Sequence, residues 1–181
     1  MDFIKQAIPD IILIQPAIHG DDRGYFLETF RQDLFETFIG RKIKFIQDNE
    51  SKSNKGVLRG LHYQLGADAQ AKLVRVIEGS VLDVAVDVRP DSPTFGKHIA
   101  VELSSQNKQQ LFIPQGFAHG FVVLSEHAIF SYKVDNYYNP KQEQSIAYND
   151  PQLAIDWQMP QDQLQLSEKD KKLPSFNSVV F

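Results

Sequence analysis

The chain has 181 residues, 42% of them apolar, with 13 Phe, 6 Tyr and 1 Trp, enough large side chains to fill one sizeable core. It contains no cysteine, which excludes a disulfide framework and thiolate chemistry, and its net charge of −4 excludes a nucleic-acid binder that relies on a broad basic face. The first residues include Asp2, Pro9 and Asp10 without a cationic start or a long apolar run, so neither a signal peptide nor a membrane span is expected, and a cytoplasmic location is the default.

Taken in chain order, short alternating runs recur between Gly and Pro punctuation, the pattern of half-buried strands. Strands are predicted at Ile11–Gln15 and Gly24–Phe30, followed by one helix at Gln32–Ile39, where Leu34, Phe35, Phe38 and Ile39 keep helical spacing and Gly40 ends it. Further strands follow at Ile43–Asn49, Lys72–Glu78, Val81–Arg89, His98–Leu103, Gln110–Ile113, Gly120–Leu124 and Ile129–Asp135. In Val81–Val88, Leu82, Val84, Val86 and Val88 share one face, and Asp83 and Asp87 share the other. After Tyr138 the chain turns rich in Gln, Asn and Pro, which predicts loop and short helix over about the last 40 residues. No repeat or linker interrupts it, so residues 1–181 read as a single domain, an antiparallel sandwich or barrel of jelly-roll type.

Between the third and fourth of these strands lies Gly56-Val-Leu-Arg-Gly-Leu-His-Tyr-Gln64, the most informative stretch of the chain. Arg59 and His62 interrupt an apolar run, and unpaired polar groups in an apolar setting cost several kcal/mol unless a pocket opens onto them. On a regular strand the two would point to opposite faces; a bulge or kink at Gly60 would bring both to one cavity. Other strands carry similar intrusions: Gln47 and Asn49 continue the parity of Ile43 and Phe45, Glu28 lies between Phe26 and Phe30, Lys72 precedes Val74 and Val76, and Tyr132 lies between Phe130 and Val134. Together they describe a concave sheet face lined by aromatics and a few polar groups, the usual make-up of a small-molecule site.

Jelly rolls often hold a metal, and Pro114-Gln-Gly-Phe-Ala-His119 resembles the Pro-x-Gly-x-x-His part of the second metal motif of the cupin superfamily. The first motif of that superfamily needs two histidines one residue apart with an acid shortly after; here the stretch is His62-Tyr63-Gln64, and no acid follows until Asp68. Two imidazoles from different strands without a carboxylate at motif spacing make a poor divalent-metal site, and His98 and His127 have no motif partners. The expected fold is therefore mostly β, a cupin-like antiparallel jelly roll with a few short helices, and the expected site holds no metal and no cofactor.

No nucleophile triad, phosphate loop or dinucleotide fingerprint is present. What remains is His62 as a base, Tyr132 as an acid, and the cations Arg23, Arg59, Lys72 and Lys169. Histidine titrates near ~6.5 and tyrosine near ~10, so this pair, with a lysine to stabilise an enolate oxygen, suits proton abstraction next to a carbonyl.

The motifs Asp22-Arg-Gly-Tyr-Phe-Leu-Glu28, Phe45-Ile-Gln-Asp-Asn-Glu-Ser51, Gly56–Gln64, Lys72-Leu-Val-Arg75, Asp87-Val-Arg-Pro-Asp-Ser-Pro-Thr94, Ile113–Phe121 and Tyr148-Asn-Asp-Pro151 resemble, in order, those of the dTDP-4-dehydrorhamnose 3,5-epimerase family. The resemblance implies a metal-free cupin-fold homodimer of the dTDP-L-rhamnose pathway that inverts C3 and C5 of dTDP-4-dehydro-6-deoxy-D-glucose. It also implies roles. His62 resembles the catalytic base, Tyr132 the acid, Asp170 the carboxylate paired with the histidine, and Lys72 the group near the C4 oxygen. Arg23 and Arg59 resemble diphosphate ligands, and Phe26, Glu28, Gln47 and Asn49 match nucleotide-side positions. Tyr138 resembles a residue that stacks on thymine, while His119, Glu143 and Lys169 match binding positions. One departure is Tyr148, where the family commonly has Trp before Asn-Asp-Pro.

The sequence leaves three other readings open: a single-centre 3- or 5-epimerase or 3,4-ketoisomerase with the same site, a non-catalytic sugar-nucleotide binder, and, least favoured, a metal-dependent cupin oxygenase or isomerase. A non-catalytic binder would not need both His62 and Tyr132.

Overall fold

Two antiparallel sheets lie face to face, and each buries its outer face under a different part of the chain. The structure is a computed structural model and describes residues 1–179. One sheet has six strands in the order β1 (Asp2–Lys5), β2 (Ile12–Gln15), β10 (Gln110–Ile113), β7 (Lys72–Glu78), β12 (His127–Val134) and β5 (Gln47–Asn54). The other has five, β13 (Glu143–Ser145), β6 (Leu58–Gln64), β11 (Phe117–Val123), β8 (Ser80–Asp87) and β9 (His98–Ser104). A separate hairpin, β3 (Ile18–Asp21) and β4 (Gly24–Leu27), stands apart from both. This is the predicted jelly-roll type of sandwich.

Three apolar layers hold it together. Between the sheets, Val74, Val76 and Phe130 from one meet Val81, Ala85, Phe117 and Phe121 from the other. Outside the five-stranded sheet, Leu82, Val84 and Val86 pack on Leu153, Trp157 and Phe176 of the C-terminal segment. Outside the six-stranded sheet, Phe35 of helix α1 (Gln32–Ile39) packs with Ile12, Ile14, Leu73 and Phe112, its ring 4.8 Å from that of Phe112. Each such side chain contributes about 1.5–3 kcal/mol when fully buried, so the long C-terminal segment is part of the core.

That segment changes the meaning of β8. Its alternation places Asp83 and Asp87 opposite Leu82, Val84 and Val86, yet both aspartates are fully buried, because the valine face is covered from outside and the aspartate face lies between the sheets. Asp87 is satisfied by Arg89, Ser92 and Thr94. Asp83 is not fully satisfied: its Oδ1 has no hydrogen-bond partner among the described residues.

The helix has the predicted bounds. Gly40 ends it at φ 70° and donates its N–H to the Glu36 carbonyl at 2.9 Å. Other boundaries differ for local reasons. The strand predicted at Ile43–Asn49 begins only at Gln47 and runs on to Asn54, since the Ile43 N–H is drawn under the helix by Glu36 Oε1 at 3.1 Å. The strand predicted at Gly24–Phe30 stops at Leu27, and the one predicted at Gly120–Leu124 begins three residues earlier and ends at Val123. Strands β1, β3 and β13 were not predicted; each has only three or four residues.

The kink expected at Gly60 is present. Gly60 has φ 130°, a Cβ there would lie 2.5 Å from the Gly120 Cα, and the β6–β11 pairing shifts register between His119 and Phe121. Only glycine fits where two backbones approach this closely.

Candidate active site

A cavity of about 630 Å³ opens between the two sheets. Its walls come from opposite layers. The five-stranded sheet supplies Arg59 and His62 from β6 and His119 from β11; the six-stranded sheet supplies Lys72 from β7, Ser51 from β5, and Phe130 and Tyr132 from β12. The C-terminal part of the chain closes the rim with Tyr138, Glu143, Lys169 and Asp170. The kink at Gly60 thus does what parity forbids on a regular strand: Arg59 and His62 reach one space.

His62 is held at both ring nitrogens. Ser145 Oγ lies 2.8 Å from Nδ1, and Asp170 Oδ1 lies 2.9 Å from Nε2. The Asp170 contact has ion-pair distance but lies off the hydrogen-bond direction, so the carboxylate acts on the imidazole chiefly through its charge. Burial pushes the His62 pKa below its ordinary value, and the negative charges of Asp170 and Glu143 oppose that shift. Asp170 itself is fixed by Ser167, whose hydroxyl donates to Oδ2 at 2.9 Å and accepts the Asp170 N–H at 3.0 Å.

Across the cavity, burial raises the Tyr132 phenol above its ordinary pKa, with Arg59 pulling the other way. The phenol is therefore protonated at neutral pH and available as a donor. Lys72 is pushed down to about 8, mostly by burial, while Asp83 and Glu143 favour its charged form. At pH 7 it is still mainly the ammonium. At the rim, Glu143 accepts from Tyr138 Oη at 2.9 Å and pairs with Lys169. Burial alone would raise its pKa, but these partners outweigh that and keep it a carboxylate.

His119 is only 7% exposed, and its Nε2 lies 2.9 Å from Asp83 Oδ2. The second half of the metal motif is thus used for an imidazole–carboxylate bond inside the core. Among the described residues, no group of three or more His, Cys, Asp or Glu side chains is placed to hold a metal ion. His127 pairs with Glu78 at the surface, and His98 opens the edge strand β9.

The structure brings nine of the expected site residues to the cavity: His62, Tyr132, Asp170, Lys72, Arg59, His119, Tyr138, Glu143 and Lys169. Five lie elsewhere. Arg23, Phe26 and Glu28 belong to the protruding hairpin and the segment after it; Arg23 is paired with Asp21, Glu28 with Arg31, and Phe26 is 67% exposed. Gln47 and Asn49 share the inward parity of Ser51 on β5 but bond each other at 2.8 Å outside the cavity lining.

Sequence reasoning missed Ser145, Ser167 and Asp83. Ser145 carries no local signal, since it meets His62 only through the β13–β6 register. Ser167 stands three residues before Asp170, a Ser-x-x-Asp spacing of the kind found in capping boxes, and could have been found. Asp83 was visible with Asp87 as one of two acids in a valine-rich strand.

Comparison with known proteins identifies the family. The family model described as dTDP-4-dehydrorhamnose 3,5-epimerase matches residues 5–178. The chain is 56% identical over 181 residues to the dTDP-4-dehydrorhamnose 3,5-epimerase of Salmonella typhimurium, covering 99% of this chain and 98% of the relative. The crystal structure of dTDP-4-dehydrorhamnose 3,5-epimerase from Elizabethkingia anophelis superposes with a TM-score of 0.97 at 51% identity, over 100% of this chain and 99% of that one. The dTDP-6-deoxy-D-glucose-3,5-epimerase of Legionella pneumophila, solved in complex with dTDP-4-keto-L-rhamnose, gives 0.95 at 51% identity, over 99% of this chain and 94% of that one. With residues 5–178 matched by the family model and 56% identity over 99% of the chain to a member, the chain belongs to the dTDP-4-dehydrorhamnose 3,5-epimerase family.

Proposed function

We infer that this protein is a dTDP-4-dehydrorhamnose 3,5-epimerase, an isomerase that inverts C3 and C5 of dTDP-4-dehydro-6-deoxy-D-glucose in the route to dTDP-L-rhamnose. The observation that carries the mechanism is that His62 and Tyr132 stand on opposite walls of one cavity, one on each sheet. A C4 ketone acidifies the hydrogens on both neighbouring carbons, which lie symmetrically about it. A base on one ring face and an acid on the other therefore invert either centre.

In this reading His62 removes the proton, and Asp170 steadies the imidazolium that results. The electron pair moves into the C4 carbonyl, giving an enolate whose oxygen is common to both half-reactions. Lys72 stabilises that oxygen. Tyr132 then delivers a proton to the opposite face of the same carbon, and solvent resets both groups before the second centre reacts. Arg59 and the rim residues offset the diphosphate and hold the base, a local supply of cations in a chain of net charge −4.

A homodimer completes the reading. Arg23, Phe26 and Glu28 match ligand positions but sit outside the chain's own cavity, on a hairpin with Ile18 and Tyr25 also exposed. If they bind substrate, they bind it in the cavity of a second copy. The reaction as written needs no cofactor and no metal. No helix among the described residues is long and apolar enough to cross a membrane, and a soluble cytoplasmic enzyme fits the nucleotide-activated substrate. Conversion of dTDP-4-dehydro-6-deoxy-D-glucose to dTDP-4-dehydro-L-rhamnose by the purified chain under exhaustive chelation tests this. Loss of activity restored by a divalent ion would contradict the metal-free reading, and no conversion under any condition would contradict the activity.

A further inference from the structure

Asp83 has no place in the reaction described so far, yet it is 0% exposed between the sheets. Its Oδ2 accepts a hydrogen bond from His119 Nε2 at 2.9 Å, and its Oδ1 has no hydrogen-bond partner among the described residues. The surroundings are aromatic: Phe121 lies opposite it in the β8–β11 ladder, Phe121 stacks on Phe130 at 4.2 Å, and the His119 ring lies 6.1 Å from that of Phe130. A half-paired carboxylate in such a setting opposes folding, and an apolar side chain like its neighbours Val81 and Ala85 would pack there more favourably. The position therefore answers to something other than stability.

We propose that Asp83 is a positioning residue for the C4 end of the sugar, fixing the tautomer of His119 through one oxygen and supplying through the other a buried negative charge to Lys72 on the facing sheet. This rests on the epimerase reading of the cavity. A carboxylate only accepts, so His119 must carry its proton on Nε2, which leaves Nδ1 for the ligand. The second role follows from placement. Lys72 comes from the facing sheet, and burial drives it towards the neutral amine, which cannot stabilise an enolate oxygen as a charge. The groups around it are Asp83 from β8, His119 from β11, His62 from β6, Tyr132 from β12, Glu143 from β13 and Asp170 beyond the last strand. Two of these acids, Asp83 and Glu143, favour the charged lysine. Asp170 is paired with His62 and Glu143 with Lys169, whereas Asp83, bonded to His119 through Oδ2, keeps Oδ1 without a hydrogen-bond partner among the described residues, so it has an oxygen left to serve Lys72.

The test separates charge from mere packing. Asp83→Asn keeps the size and can still accept from His119 Nε2, but it removes the charge. Inversion should fall on the order of 10–100-fold in kcat with KM changed less than about 3-fold, and the alkaline limb of the kcat profile should move to lower pH by about half a unit or more. The sign follows from Lys72: without the nearby negative charge the ammonium loses its proton at lower pH. A wild-type profile with kcat within about 3-fold would overturn the proposal and leave Asp83 as a structural tie. The wild-type enzyme, assayed alongside, tests the epimerase reading separately. A second measurement does not depend on the variant folding: in ¹⁵N-histidine-labelled wild-type protein, His119 must carry its proton on Nε2. A neutral Nδ1–H tautomer would refute the proposal whatever the variant does.

Discussion

His62 and His119 stand directly opposite each other in the β6–β11 ladder, and each has its own carboxylate, Asp170 and Asp83, at 2.9 Å. The two pairs differ in a way that assigns their work. His119 is nearly buried and makes an aligned hydrogen bond, so its proton is held in place. His62 is more exposed to the cavity and meets Asp170 off the hydrogen-bond direction, so it can gain a proton and be compensated by charge without a bond being broken. One imidazole is left open to the cavity, and the other is fixed in orientation.

His62→Ala should therefore abolish hydrogen exchange at both C3 and C5 while dTDP binding stays nearly intact, since the nucleotide is held by other groups. A folded variant that keeps near wild-type exchange would remove His62 from the role of base.

Tyr132→Phe deletes the phenol and keeps the aromatic packing beside Phe130. Proton abstraction should persist, so solvent deuterium still enters the substrate with its configuration retained, whereas net inversion falls by roughly 10²–10⁴-fold. Unchanged inversion would mean that another group, or water, is the donor.

The pH dependence follows from the two shifted groups. His62 works as the neutral base, and burial lowers its pKa, so the acid limb of kcat/KM should lie below the ordinary histidine value of ~6.5. Lys72 works as the ammonium, so the alkaline limb should fall near 8. An acid limb above 7 would contradict the environment described for His62.

Lys72 should also trade stability for activity. Its folded pKa is depressed, so the unfolded chain binds more protons between about 8 and its ordinary value. Its contribution to stability is accordingly present at high pH and lost as pH falls through 8. At pH 7 the buried cation is a cost. Lys72→Met should raise Tm by about 2–6 °C while inversion drops on the order of 10²–10³-fold. A lower Tm would show that the ammonium is better satisfied than its surroundings indicate.

Sedimentation at micromolar concentration should give a dimer, and Phe26→Asp on the exposed hairpin should shift it towards monomer with loss of activity. A wild-type monomer that is fully active would contradict a cavity served by two chains.

Much of this was legible in the residues because the signals were local. Gly60 between Arg59 and His62 announced the kink, and Gly40 after Phe38 and Ile39 announced the end of the helix. What was not legible depended on contacts distant in sequence. Nothing near Ser145 says that it will face His62, because only the pairing of β13 with β6 brings them together. Asp83 and Asp87 follow an alternation that reads as a solvent face, and only the covering of β8 from both sides makes them buried. The reach of Ile43–Asn49 was misjudged because Glu36 captures the Ile43 N–H, a contact seven residues away.

The central claim is that one base and one acid on opposite walls serve both carbons flanking the ketone. Incubation of the wild-type enzyme with dTDP-4-dehydro-6-deoxy-D-glucose in heavy water, with deuterium counted at each carbon by NMR, tests it most directly. The account predicts deuterium at both C3 and C5 in a product inverted at both centres. Label and inversion at one carbon alone, or at neither, would contradict it.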